Sequence, residues 1–168
     1  MHENTGVFMI SGKVCLSWLI IAFWLAGCSR APDSEPAYWG QSKEDAMFIA
    51  ISRNNIALVQ KLLNEGVKPD AVIGVRYGDR PLHVAAYYGR YEITALLLAR
   101  GANVNALMTG GNARTPLLNA IWKANNEVAK LLLQHGADAT ITTLSGQTPC
   151  QFARQVGNTQ VLLYLPNC

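Results

Sequence analysis

The chain has 168 residues, 15% of them charged, and a formal net charge of +3. That length suits one domain, and half the residues are apolar, so a packed core is affordable and wholesale disorder is excluded. Lys and Arg only slightly outnumber Asp and Glu and form no dense basic cluster, which argues against a nucleic-acid partner.

Chain order begins with an unusual leader. Residues 1–8 carry Glu3 and no Lys or Arg, whereas Met9 opens a segment that runs through Lys13 into the almost wholly apolar stretch Val14–Leu25. At about a dozen residues this stretch is short for a membrane span, which needs about 20. A basic start, a short apolar centre and small residues beyond it describe a secretory signal, with Met9 a better start than Met1. The segment ends in Leu25-Ala26-Gly27-Cys28, which resembles the bacterial lipobox. That resemblance implies cleavage before Cys28 and acyl chains on its sulfur, which give firm anchorage at about 0.8 kcal/mol per buried CH₂. Ser29, rather than Asp, after the lipidated Cys implies the outer membrane, facing the periplasm. The expected organisation is a signal peptide over 1–27, a lipidated tether over 28–42 with Pro32 and Pro36, and a repeat domain over 43–168. Tyr38 and Trp39 are expected to cap the first repeat.

From residue 43 the chain repeats itself. Ala50, Ala85, Ala120 and Ala153 share a register with a period of about 35 residues, and Gly66, Gly101 and Gly136 keep the same period. The copies lie at about 43–74, 78–109, 113–144 and 146–168. Pro81, Pro116 and Pro149 sit where a helix begins, with Thr115 and Thr148 before two of them as N-cap oxygens. Leu62-Leu63, Leu96-Leu97 and Leu131-Leu132, with Leu58, Ile93 and Val128 four residues earlier, mark the buried face of a second helix. Gly66, Gly101 and Gly136 then end that helix. Each unit reads as helix, turn, helix, and a loop or β-hairpin finger.

The blocks Arg80-Pro81-Leu82-His83-Val84-Ala85-Ala86-Tyr87-Tyr88-Gly89 and Thr115-Pro116-Leu117-Leu118-Asn119-Ala120 carry a resemblance. Together with the Leu-Leu-x-x-Gly-Ala endings they closely resemble the ankyrin repeat over roughly residues 43–165. The resemblance implies an all-α solenoid of about four helix-turn-helix repeats whose concave face binds other proteins. Departures are Arg80 for the Thr, Leu118 and Gln151 for the His, and Ala124 for the Gly between helices. The intervals Gly66–Pro81 and Gly101–Pro116 exceed Gly136–Pro149 by two residues, placing insertions around Val72–Gly78 and Leu107–Asn112. Such insertions are either neutral drift or part of a binding face.

In the resembled family the two positions after the paired alanines face the groove: Ser52 and Arg53, Tyr87 and Tyr88, Trp122 and Lys123, Gln155 and Val156. Aromatic and Arg side chains are enriched at interface hot spots. Arg53, Tyr87, Tyr88, Trp122 and Lys123, with Arg76, Tyr77 and Asp79 from the neighbouring finger, are therefore the expected partner-binding residues, while Tyr91 is expected to fill a gap between repeats. Cys150 and Cys168 fall at the start and after the end of an antiparallel helix pair, and the periplasm is oxidising, so a disulfide of about 18 residues' span is open beside a buried thiol at Cys150.

No catalytic motif occurs, and beyond the expected signal and lipidated Cys28 the two remaining Cys and two His lie far apart and give no metal site, so no enzyme activity, cofactor, metal or small-molecule substrate is expected. His83 is expected to bond backbone, and His135 to suit a helix C-terminus. Two functions follow by compartment and architecture. One is an immunity protein that neutralises a periplasmic toxin or lipase effector. The other is a scaffold or stabilising partner of an envelope enzyme, such as an oxidative-stress enzyme.

Overall fold

The computed structural model describes residues 42–73, 78–110, 113–166 and 168. The signal, the lipobox with Cys28, the tether and Tyr38 and Trp39 all lie outside the described residues, as do Arg76 and Tyr77. Among the described residues seven α-helices occur, three stacked pairs and a single last helix: α1 (Lys43–Ser52) with α2 (Ile56–Asn64), α3 (Pro81–Tyr88) with α4 (Tyr91–Ala99), α5 (Pro116–Trp122) with α6 (Asn126–Gln134), and then α7 (Pro149–Gln155). The family-type all-α solenoid is therefore present, and no strand occurs among the described residues.

Each first helix starts where its sequence says it should. Pro81, Pro116 and Pro149 open α3, α5 and α7, a position where the missing N–H costs nothing. Thr115 accepts from the amide of Leu118, and Thr148 forms a reciprocal capping box with Gln151. The first copy lacks Thr-Pro, and Ser42 with Asp45 builds the same box instead. Arg80 makes no side-chain cap; its guanidinium instead donates to the carbonyl of Asp70 at 2.6 Å and ties its helix to the finger before it. Gly66, Gly101 and Gly136 follow the second helices at φ of 93°, 82° and 85°, a left-handed region that costs glycine little.

The core is the shared face of these pairs. Met47, Ile51, Leu82, Ile93, Leu97, Leu117, Leu118, Ile121 and Leu132 are fully buried, and Ala85, Ala86 and Ala120 let helices approach closely. Leu58 is only half-buried, unlike its counterparts Ile93 and Val128. No described repeat precedes it to cover that face.

A polar ladder joins the repeats. Arg90 donates to the carbonyl of Ser52 at 2.6 Å, Asn125 to those of Ala86 and Tyr87 at 2.8 and 2.9 Å, and Asn158 to that of Ile121 at 3.1 Å. These three residues share one register position. Each donates to carbonyls in the last turn of the first helix of the preceding copy.

The fingers are loops, each closed by one backbone bond: Ile73 to Asp79, Met108 to Arg114 and Thr143 to Gln147. These bonds enclose five residues in each of the first two fingers and three in the last, which matches the two-residue difference in interval.

The fourth copy ends differently from the expected helix pair. After α7 only a 3-10 turn forms, Gln160–Leu163. Pro166 cannot continue a helix and disfavours helical backbone at Leu165. Cys150 and Cys168 are joined in a disulfide with Cα atoms 5.7 Å apart, and Arg154 donates to the carbonyl of Cys168 at 2.7 Å. No helix among the described residues is long and apolar enough to cross a membrane.

Candidate protein-binding groove

The C-terminal ends of α3 and α5 place Tyr87 and Trp122 at one register position of successive repeats. Their rings meet edge to face with centroids 5.6 Å apart, and Tyr87 meets Tyr88 the same way at 5.1 Å. Offset and edge-on pairs of this kind hold each other in place at small entropic cost. Tyr88 and Trp122 are nonetheless 41% and 44% exposed, so they are not core filling. A concave groove of about 550 Å³ opens beside them, lined by Phe48, Asp79, Val84, Tyr87, Tyr88, Met108, Arg114, Asn119 and Trp122.

Two cations frame the rings. The Arg114 guanidinium lies 4.3 Å from the centre of the Trp122 ring and 5.7 Å from that of Phe152. Lys123 Nζ lies 4.8 Å from the centre of Tyr87 and 5.5 Å from that of Trp122. Among the described residues neither cation has a carboxylate in salt-bridge range. Burial lowers the Arg114 pKa from its ordinary value and raises that of the Asp79 carboxyl.

Of the expected binding residues, Asp79, Tyr87, Tyr88 and Trp122 share the groove, and Lys123 flanks its rings. Arg53 does not join them; it ends α1 as an exposed cap residue, away from the groove lining. Val156 packs against the core rather than facing out, and Tyr91, expected to fill a gap, is 43% exposed at the start of α4. Phe48, Val84, Met108, Asn119 and above all Arg114 were not anticipated. The signal was present: Arg114 stands two residues before Pro116, the register of Asp79 before Pro81.

His83 is buried, and its Nε2 lies 3.0 Å from the carbonyl oxygen of Arg114, which can only accept, so this nitrogen donates. Burial lowers its pKa to about 4, against the opposing pull of the Arg114 and Ala106 carbonyls. The bond fixes the backbone at Arg114 and so aims the groove's central cation. His135 bonds Leu131 O through Nδ1 at 3.0 Å, which satisfies a carbonyl of the last turn of α6. No group of His, Cys, Asp and Glu able to hold a metal occurs among the described residues.

Family comparison agrees with this geometry. A model described as ankyrin repeats (3 copies) matches residues 15–108, and a second, ankyrin repeats (many copies), matches 97–153. The chain belongs to the ankyrin-repeat family. Among similar proteins is one of Arabidopsis thaliana provisionally named E3 ubiquitin-protein ligase XBAT34, 33% identical over 73% of this chain and 32% of its own. Another is the ankyrin repeat, SAM and basic leucine zipper domain-containing protein 1 of Eulemur macaco macaco, 32% identical over 82% of this chain and 32% of its own. A provisionally named ankyrin repeat protein of Rickettsia bellii (strain RML369-C) is 43% identical over 40% of this chain and 39% of its own. The chain thus spans about a third of the length of the first two. Ankyrin repeats are protein-interaction modules, and this ankyrin chain is a protein-binding module.

Proposed function

We propose that this ankyrin protein is tethered through Cys28 to the outer membrane, faces the periplasm, and holds a periplasmic protein against the Tyr87–Trp122 groove. The observation that carries the binding assignment is the exposed aromatic cluster with two cations that have no carboxylate of the described residues in salt-bridge range. Aromatic and Arg side chains are the usual interface anchors, and an uncovered patch of this kind is otherwise a liability in solution. The Leu-Ala-Gly-Cys sequence supports the tether, and a disulfide between Cys150 and Cys168 suits an oxidising compartment. In its sharpest form the partner is an antibacterial toxin or lipase effector, and the chain is the immunity protein that neutralises it. An inhibitor anchored in the membrane stands where such a lipase would act.

Two measurements test this. A Cys28→Ser chain should stay out of the outer-membrane fraction and take up no labelled palmitate. An envelope pull-down with the full chain should retrieve a secreted toxin or lipase that the Tyr87→Ala/Trp122→Ala chain does not, and cells lacking the protein should be killed by that toxin. Equal retrieval by both chains would move the binding surface elsewhere. Retrieval of an envelope enzyme instead of a toxin would make the chain a stabilising partner.

A further inference from the structure

Resting on the groove assignment above, we infer that the groove recognises an acidic side chain flanked by an apolar one, presented by a surface loop of the partner protein. The argument is charge complementarity within a shaped apolar cleft. The Arg114 guanidinium lies 4.3 Å from the centre of the Trp122 ring, and its backbone carbonyl is anchored by His83 at 3.0 Å. A guanidinium pre-positioned in this way loses little freedom on binding, and its fork matches a carboxylate with two parallel bonds. Lys123 adds a second positive charge at the same rings. No carboxylate of the described residues lies in salt-bridge range of either cation.

The groove wall supplies the other half of the pattern. Phe48, Val84 and Met108 line it with apolar surface within the same space as Arg114. A lone anion would leave that surface wet, whereas an aliphatic or aromatic neighbour of the acidic residue covers it. Asp79, on the same lining but out of salt-bridge range of Arg114, supplies an acceptor for the loop's backbone N–H groups. A donor at Arg114 and an acceptor at Asp79, separate points of one lining, give the bound segment a fixed direction.

The test is selection of a random peptide library displayed on phage against the full chain in detergent, followed by affinity measurement on synthetic versions of the selected peptides. The expected result is enrichment of Asp or Glu beside Phe, Trp, Leu or Met. Binding should weaken about tenfold or more with Arg114→Gln and with the Asn or Gln analogue of the peptide's acidic residue, and should fall as salt rises. Arg114→Lys should recover only part of it. His83 bonds the Arg114 backbone rather than its side chain, so Arg114→Gln keeps that bond, and its unchanged urea midpoint serves as the folding control. Selected peptides that lack acidic residues, or that bind wild type and Arg114→Gln equally, overturn the inference. If such peptides still lose affinity with Tyr87→Ala/Trp122→Ala, the groove itself stands. If that variant also binds normally, or no peptide is selected, groove and inference fall together.

Discussion

Gly89 and Ala124 occupy one register position in successive repeats, both with left-handed backbone, at φ of 67° and 55°. They make a reciprocal experiment. A Cβ built on Gly89 would lie 2.7 Å from Asn125 Oδ1, too close for any real contact. Asn125 cannot swing aside freely, because its amide donates to Ala86 O and Tyr87 O at 2.8 and 2.9 Å. Gly89→Ala therefore costs left-handed strain of about 1–2 kcal/mol, offset by about 0.4–1 from the stiffer unfolded chain. Disturbing two hydrogen bonds adds about 1 kcal/mol each, for a total of about 2–3. Ala124→Gly has only the backbone terms with reversed sign, because Ala124 is exposed, and should stabilise by about 0.5–1 kcal/mol. Urea unfolding followed by circular dichroism measures both, with an unchanged slope showing that the change is one of stability. In a double-mutant cycle the steric part of the Gly89→Ala cost should vanish once Asn125 is Ala. A Gly89→Ala cost that ignores Asn125, or an Ala124→Gly that destabilises, would refute the reasoning.

Three further outcomes are expected. His83 has its pKa lowered by burial from about 6.5 to about 4, so the unfolded state binds the extra proton between those values. Stability should fall as pH drops through that window, by on the order of 3 kcal/mol at about 1.4 kcal/mol per tenfold change in proton affinity. Urea midpoints at successive pH values should show the fall, and His83→Leu, which copies Leu118, should flatten it. Replacing both Cys150 and Cys168 by Ser should lower stability by about 3 kcal/mol through the freed loop, read from the thermal midpoint against oxidised wild type. Tyr87→Ala/Trp122→Ala should leave the fold's cooperative unfolding intact, since Trp122 is exposed and Tyr87 half-buried, while abolishing partner capture.

Periodicity made most of the helical stack legible. Pro81, Pro116 and Pro149 announced helix starts, and the spaced glycines announced helix ends, because both residues act through their own backbone rather than through distant neighbours. What escaped depended on contacts between copies. Arg80 reads as a lost cap until Asp70 is seen opposite it, and Arg114 reads as an ordinary finger residue until Trp122 is seen beneath it. Arg53 stands apart for the complementary reason: register assigned it a face, but it is not among the residues that line the described groove. The second helix of the last copy was overestimated because its apolar residues keep the helical spacing while Pro166 forbids its continuation.

Arg90, Asn125 and Asn158 each reach backward, never forward, along the stack. The array is therefore directional, like masonry in which every course is keyed to the one laid before it. A copy added after the last would need only its own Asn or Arg at this position to lock on, since the carbonyls it would grip belong to its neighbour. A copy placed before the first would find Asn55 at the same register, its Oδ1 accepting from the amide of Leu58 just as Asn158 Oδ1 accepts from that of Val161, which leaves the Nδ2 end of the side chain to reach back. Lengthening this protein by design therefore asks, at each new joint, for one Asn or Arg at this position of the following copy.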